Sequence, residues 1–247
     1  MPSGAFAACR NTKCAKPCQD MSCLGSVTAA MPTATTYKVT VAPADYQSGK
    51  PLLMATVKQC KRVDPDCLMP VDTQTVDAMG KVTFAAVATS PKGLDDYFEI
   101  TAPMYEPTIL FDVATSSLDD ADGMTLAPLI ITTATFKLLT GVIGATSDPT
   151  RGHITFLALA CKGNRAAGVS VTADTADAMT TRTYIAGALP SKTAMETDAS
   201  GSGAFINVPV GPVALTGTLV SSAKLLGTNA VFVRAGFITA ANVIPTP

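Results

Sequence analysis

The sequence has no tryptophan, a single histidine and only 6% aromatic residues. Sugar-binding sandwiches present flat aromatic platforms, and here Tyr46, Tyr97, Tyr105 and Tyr184 are the only exposed candidates for that role. The lone histidine, His153, is the only side chain that could serve as a general base near neutral pH. It follows Gly152 at the start of an apolar stretch, and no Gly-x-Ser-x-Gly elbow occurs anywhere. A hydrogen-bonded structural histidine is the expected role. Cys161 lies at the far end of the same stretch, out of reach for a Cys–His nucleophile pair, and reads as a buried thiol.

Charge is scarce and balanced, with 18 basic and 19 acidic side chains. A phosphate-binding surface needs clustered Lys and Arg, so nucleic-acid binding is excluded. The nearest approach to a basic patch, Lys58, Lys61 and Arg62, sits beside Asp64 and Asp66 and reads as a solvated strand end. There is no P-loop and no Gly-x-Gly-x-x-Gly opening a helix, which argues against nucleotide chemistry. One long, largely uncharged run, Thr125 to Thr146, is interrupted by Pro128, Lys137 and many threonines. A spanning helix wants ~20 predominantly apolar residues, so no transmembrane segment is expected.

Cysteine is plentiful and unevenly placed. Cys9, Cys14, Cys18 and Cys23 crowd the N-terminus, Cys60 and Cys67 stand close together, and Cys161 is isolated. Zinc prefers paired C-x2-C knuckles, often with histidine, and these spacings do not match. Disulfides in an oxidising compartment fit better, with Cys60 and Cys67 bridged across the turn "KRVDPD" and the N-terminal four as further candidates. Seven cysteines leave one over, or one used otherwise. The start "MPSGAFAAC" has neither a basic n-region nor a long apolar h-region. Cys9 after "FAA" is compatible with a lipid anchor if that cysteine is processed.

Asp119, Asp120 and Asp122 beside Gly123 hint at calcium. A calcium loop places ligands at alternate positions and a Glu at the twelfth, whereas these acids fall differently and the twelfth position is Ile130. An acidic surface turn is favoured, with calcium as the minority cofactor reading; otherwise no cofactor is expected. Asp95 and Asp96 read as the start of a strand.

What remains is rich in Thr, Ala, Val, Gly and Pro, the composition of many short strands. Tyr37, Val39 and Val41 alternate in "TTYKVTVAP"; "VDTQTVDAMGKVTF" reads as a hairpin; Pro103 and Pro107 end strands. Between Thr132 and Gly144, Phe136, Leu139 and Ile143 fall at helical spacing, as do Leu138 and Val142, which predicts a short helix. Two stretches rhyme. "VDAMGKVTFAAV" and "TDASGSGAFINV" share Asp-x-x-Gly followed by Phe, and "GKPLLMATV" and "GNRAAGVSV" precede them with a Gly turn and a valine. Ordered signals at matched offsets predict a duplicated β unit.

These motifs resemble the transthyretin-like, carboxypeptidase regulatory-like domains. Gly163, Gly168, Val169, Asp198, Gly201, Phe205, Val208, Pro209 and Gly211 fit that pattern. Gly49, Pro51, Val57, Asp77, Gly80, Val82 and Phe84 fit it less completely, because "AVATSPKG" replaces the usual "VPxG". The resemblance implies an all-β chain of two tandem Greek-key sandwiches, with no catalytic residues, similar to cell-surface proteins and lipoproteins of bacteria such as myxobacteria. The expected divisions are a Cys-rich arm over 1–36, a first sandwich over 37–131, a helical connector over 132–151 and a second sandwich over 152–247. The expected function is a non-catalytic extracellular structural or assembly module whose partners are other surface proteins or copies of itself. A carbohydrate- or calcium-binding accessory module is the alternative, and a hydrolase built on His153 a distant third.

Overall fold

The computed structural model describes residues 19–27, 35–90, 93–111 and 123–246. Cys9, Cys14, Cys18 and the calcium candidates Asp119, Asp120 and Asp122 lie outside the described residues. The described chain is mostly β. Its first part contains β1 (Thr36–Val41), β2 (Ala44–Asp45), β3 (Thr56–Lys61), β4 (Asp72–Thr75) and β5 (Val82–Ser90). There follow β6 (Gly93–Leu94), β7 (Asp96–Thr101), β8 (Thr108–Leu110), β9 (Met124–Leu126) and β10 (Leu129–Ile130). The helix α1 spans Thr133–Val142. Beyond it come β11 (Gly152–Ala158), β12 (Val169–Ala173), β13 (Thr181–Ala186) and β14 (Leu189–Ser191). The last four are β15 (Ser202–Val208), β16 (Gly211–Leu219), β17 (Leu225–Val233) and β18 (Ile238–Val243).

A nine-stranded sheet, ordered β14-β13-β15-β11-β18-β8-β7-β3-β4, runs through both halves of the chain. The halves meet where β18 pairs in parallel with β8, placing Thr239 opposite Ile109. Side chains alternate across this sheet. Phe98 and Ile100 of β7 join Val39, Val41 and Phe84 in one core, under the four-stranded sheet β6-β5-β1-β9. Tyr97, the residue before Phe98, turns to the opposite face, where a larger core holds Ile154, Phe156, Val171, Leu215 and Val233. That second core is closed by the three-stranded sheet β12-β16-β17. Two layers thus cover opposite faces of one continuous sheet.

The helix begins where Thr132 caps it: its hydroxyl oxygen accepts from the Thr135 N–H at 3.1 Å. Phe136 and Ile143 pack on Ile206 and Ile238, on the face of the nine-stranded sheet away from the larger core. Leu138 and Val142, also at helical spacing, are exposed. One apolar stripe suffices for a helix lying on a sheet. No helix among the described residues is long and apolar enough to cross a membrane.

The pairing of the first part recurs in the second. β1 pairs antiparallel with β5 and parallel with β9; β11 pairs antiparallel with β15 and parallel with β18. Val39 stands opposite Phe84, and Ile154 stands opposite Phe205. Each of these pairs is preceded in its first strand by a shift of register, between Tyr37 and Val39 in one case and Gly152 and Ile154 in the other. Even the isolated bridge from Ala44 to Pro51 has its counterpart from Leu159 to Arg165. In both Asp-x-x-Gly turns the carboxylate accepts backbone N–H groups two residues on, from Met79 to Asp77 and from Ser200 to Asp198, at 2.8 Å each. Gly80 and Gly201 then take positive φ.

"VDTQTVDAMGKVTF" is not the hairpin its turn chemistry suggested. β4 pairs with β3 in the nine-stranded sheet, whereas β5 pairs with β1 in the four-stranded one. The Asp77 turn therefore carries the chain between layers, because Val76 and Val82 both enter the core that the layers share.

Candidate functional site

His153 lies opposite the irregularity in β15 and is 2% exposed. Its Nδ1 accepts from the Asn207 backbone N–H at 3.1 Å, which leaves the ring proton on Nε2. Nε2 sits 2.9 Å from Ser147 Oγ and must donate to it. A general base would need the reverse arrangement, with Nε2 unprotonated toward the serine. The Phe136 ring, 4.8 Å away, closes the site from the helix side. Burial pushes the His153 pKa down to about 4, so the ring is neutral at physiological pH. Asn207, at positive φ, completes the clasp: its side chain accepts from Asp148 N and donates to Thr146 O. The cluster fastens the segment after α1 to the sheet.

On the other face, Glu99 is buried between two cations. Lys58 Nζ is 2.8 Å from one carboxylate oxygen, and the Arg234 guanidinium bonds the other. Burial alone would raise the Glu99 pKa; hydrogen bonds from Lys58 and Arg234 outweigh it and hold the pKa below the ordinary value. Arg234 also donates to the Asp66 carbonyl at 2.7 Å and stacks on Phe237, 4.0 Å from the ring centre. Lys58 and Arg62 are thus not a freely solvated strand end: the first is ion-paired and the second lies over the Phe111 ring.

Cys60 and Cys67 form a disulfide with Cα atoms 5.4 Å apart, closing a loop that leaves β3 and returns toward β4. Asp64 caps the loop by accepting from the Leu68 and Met69 N–H groups at 3.1 and 2.8 Å. Tyr97 donates its hydroxyl to the Asp64 carbonyl at 2.7 Å. Burial, opposed by Arg234, raises the Tyr97 pKa to about 12. Cys161 is not a free thiol: it bonds to Cys23 across 138 residues. It stands in a short turn beyond β11 rather than on that strand. Sequence spacing could not show this, because the partner lies in the N-terminal arm.

A groove of about 800 Å³ lies on the helix side of the nine-stranded sheet. Leu110, Leu157 and Ile185 contribute to its floor, while Leu126, Leu129 and Leu139 contribute to its walls. Arg165 is the only charged residue among its described lining, and Tyr46 the only tyrosine. Of the other tyrosines considered for sugar stacking, Tyr97 and Tyr184 are buried in the core, and Tyr105 donates to Asp45 at 3.1 Å. No aromatic platform forms from the four. The groove went unread in the sequence because its lining comes from strands far apart in the chain.

No family model matches the chain, and no curated protein matches it. Among solved structures, the shaft pilin SpaA from Lactobacillus rhamnosus GG aligns at 14% identity over 86% of this chain and 99% of that one, with a TM-score of 0.29. The minor pilin GBS52 of Streptococcus agalactiae aligns at 14% identity over 85% and 98%, with a TM-score of 0.26. The Bacillus anthracis TIE protein aligns at 12% identity over 85% of this chain and 34% of its own, with a TM-score of 0.27. Superpositions of that quality do not establish a shared fold.

Proposed function

We infer that the chain is a non-catalytic structural and assembly module of an oxidising, extracellular setting, built as two copies of one transthyretin-like sandwich unit. The observation that carries the non-catalytic part is the clasp at His153. Nδ1 accepts from the Asn207 backbone N–H and Nε2 donates to the Ser147 hydroxyl, the tautomer opposite to that of a base. The matched pairs Val39–Phe84 and Ile154–Phe205, each beside an irregularity, support the duplication. The motifs at Asp77 and Asp198 supply its likeness to carboxypeptidase regulatory-like domains of bacterial surface proteins. Two disulfides support the compartment, since a reducing cytosol does not maintain such bonds.

Sedimentation velocity on the oxidised chain, without added ligand, tests the assembly reading. Concentration-dependent oligomers or filaments are the expected result. A strict monomer that calcium or glycans stabilise against heat would instead favour the accessory binding module, for which the groove is the available site. Turnover abolished by His153→Ala would overturn the non-catalytic reading.

A further inference from the structure

Val63, Leu68 and Met69, on the Cys60–Cys67 loop and its return, are 89%, 80% and 82% exposed. Exposed apolar side chains on a floppy loop mean little, but this loop is fastened at several points. The disulfide closes it, the Asp64 carboxylate holds Leu68 and Met69, Tyr97 holds the Asp64 carbonyl, and Arg234 holds the Asp66 carbonyl. A preorganised apolar protrusion loses little entropy on docking. It also carries an exposed carboxylate, Asp66.

The groove has the complementary character. Its floor and walls are leucine- and isoleucine-rich, and Arg165, the one charged residue among its described lining, is exposed near Ser200 and Ser202. The loop is anchored through Cys60 and Cys67 in the core beneath β12-β16-β17. The groove opens on the opposite face of the sheet, beside α1. One chain therefore cannot fill its own groove with its own loop.

We propose that the Cys60–Cys67 loop of one chain docks into the groove of a second copy, with Leu68 and Met69 as apolar anchors and Asp66 meeting Arg165. The contact is heterologous, since loop and groove are different surfaces, so it propagates as an open chain unless the rotation closes a ring. It rests on the assembly reading above and names the surfaces that reading needs.

The test uses the oxidised full chain in sedimentation velocity. The loop variant Leu68→Asp/Met69→Asp and the groove variant Leu129→Asp change exposed residues, and intact-mass and melting measurements confirm that each remains folded and bridged. Each variant alone is expected to dissociate at concentrations where the unmodified chain assembles, a weakening of at least ~tenfold. Mixed together, they are expected to form a one-to-one dimer that grows no further, because each retains the surface the other lacks and the two disabled surfaces cap its ends. Asp66→Arg weakens assembly and Arg165→Asp in the same chain restores it. If the unmodified chain assembles and both variants assemble equally well, the loop-in-groove contact is overturned while the assembly reading stands. If the unmodified chain stays monomeric at every concentration, both are overturned and the groove belongs to another occupant.

Discussion

Arg234 reaches back across 135 residues to form a buried ion pair with Glu99. Glu99 lies on β7 and Arg234 just beyond β17, so the pair links the two parts of the chain on the face opposite α1. Removing one partner leaves a charge without full compensation in a poorly solvated site. Arg234→Leu is expected to lower stability by about 3 kcal/mol, with Lys58 retaining part of the Glu99 charge balance. The double variant Arg234→Leu/Glu99→Gln should cost less than the sum of the single changes. Urea unfolding of the four chains measures this, and additive losses would refute the coupling.

Acid should weaken the fold through His153 before it reaches most carboxylates. The folded ring has a pKa of about 4 against an ordinary value of 6.5, so between those values the unfolded chain binds a proton that the folded chain refuses. Stability is full above about pH 6.5 and falls as pH drops toward about 4, by up to about 3 kcal/mol. Glu99 adds a loss at lower pH, since its folded pKa is depressed. His153→Gln should flatten the slope of the midpoint between pH 6.5 and 4.5 while lowering stability at pH 7. An unchanged slope would mean that His153 titrates normally.

Much of the layer pattern was legible because strand residues alternate and Asp-x-x-Gly turns have their own chemistry. Phe84 and Phe205 could be matched from the rhyme alone, and the short helix from Phe136 and Ile143. The Cys60–Cys67 bridge was legible because a turn separates its ends. Three things were not. The Cys23–Cys161 bond depends on tertiary folding. The separation of β4 from β5 into different sheets follows from which core Val76 and Val82 share, and turn residues do not report that. The parallel pairing of β8 with β18 joins strands that no local signal relates.

The two bridges should contribute unequally. Cys60 and Cys67 are 7 residues apart, and Cys23 and Cys161 are 138 apart. Loop-closure entropy assigns about 2–3 kcal/mol to the short bridge and about 5 kcal/mol to the long one. Cys161→Ala/Cys23→Ala is therefore expected to lower the melting temperature more than Cys60→Ala/Cys67→Ala. Calorimetry of both oxidised variants decides this; a larger loss from the short loop would show that the N-terminal arm adds little to the constraint.

Because β8 and β18 belong to one sheet, and Arg234 clasps Glu99 across the same boundary, the described chain should unfold as one unit. Its glycines offer a sharper probe of the repeat. Gly163 and Gly201 both have positive φ, but a Cβ on Gly163 meets nothing within 4 Å. A Cβ on Gly201 would stand 2.6 Å from the Ala158 carbonyl oxygen and 3.1 Å from Ala166 N, both backbone atoms of paired or turn segments that cannot move aside. Gly163→Ala should cost only the left-handed conformation, about 1 kcal/mol, whereas Gly201→Ala should cost several-fold more. Gly80→Ala belongs with Gly201, since its Cβ would lie 2.5 Å from Pro51 Cβ. Thermal melts of the three single variants give the ranking. If Gly80→Ala and Gly201→Ala are as mild as Gly163→Ala, the close approach of each Asp-x-x-Gly turn to the upstream segment does not hold the layers in place.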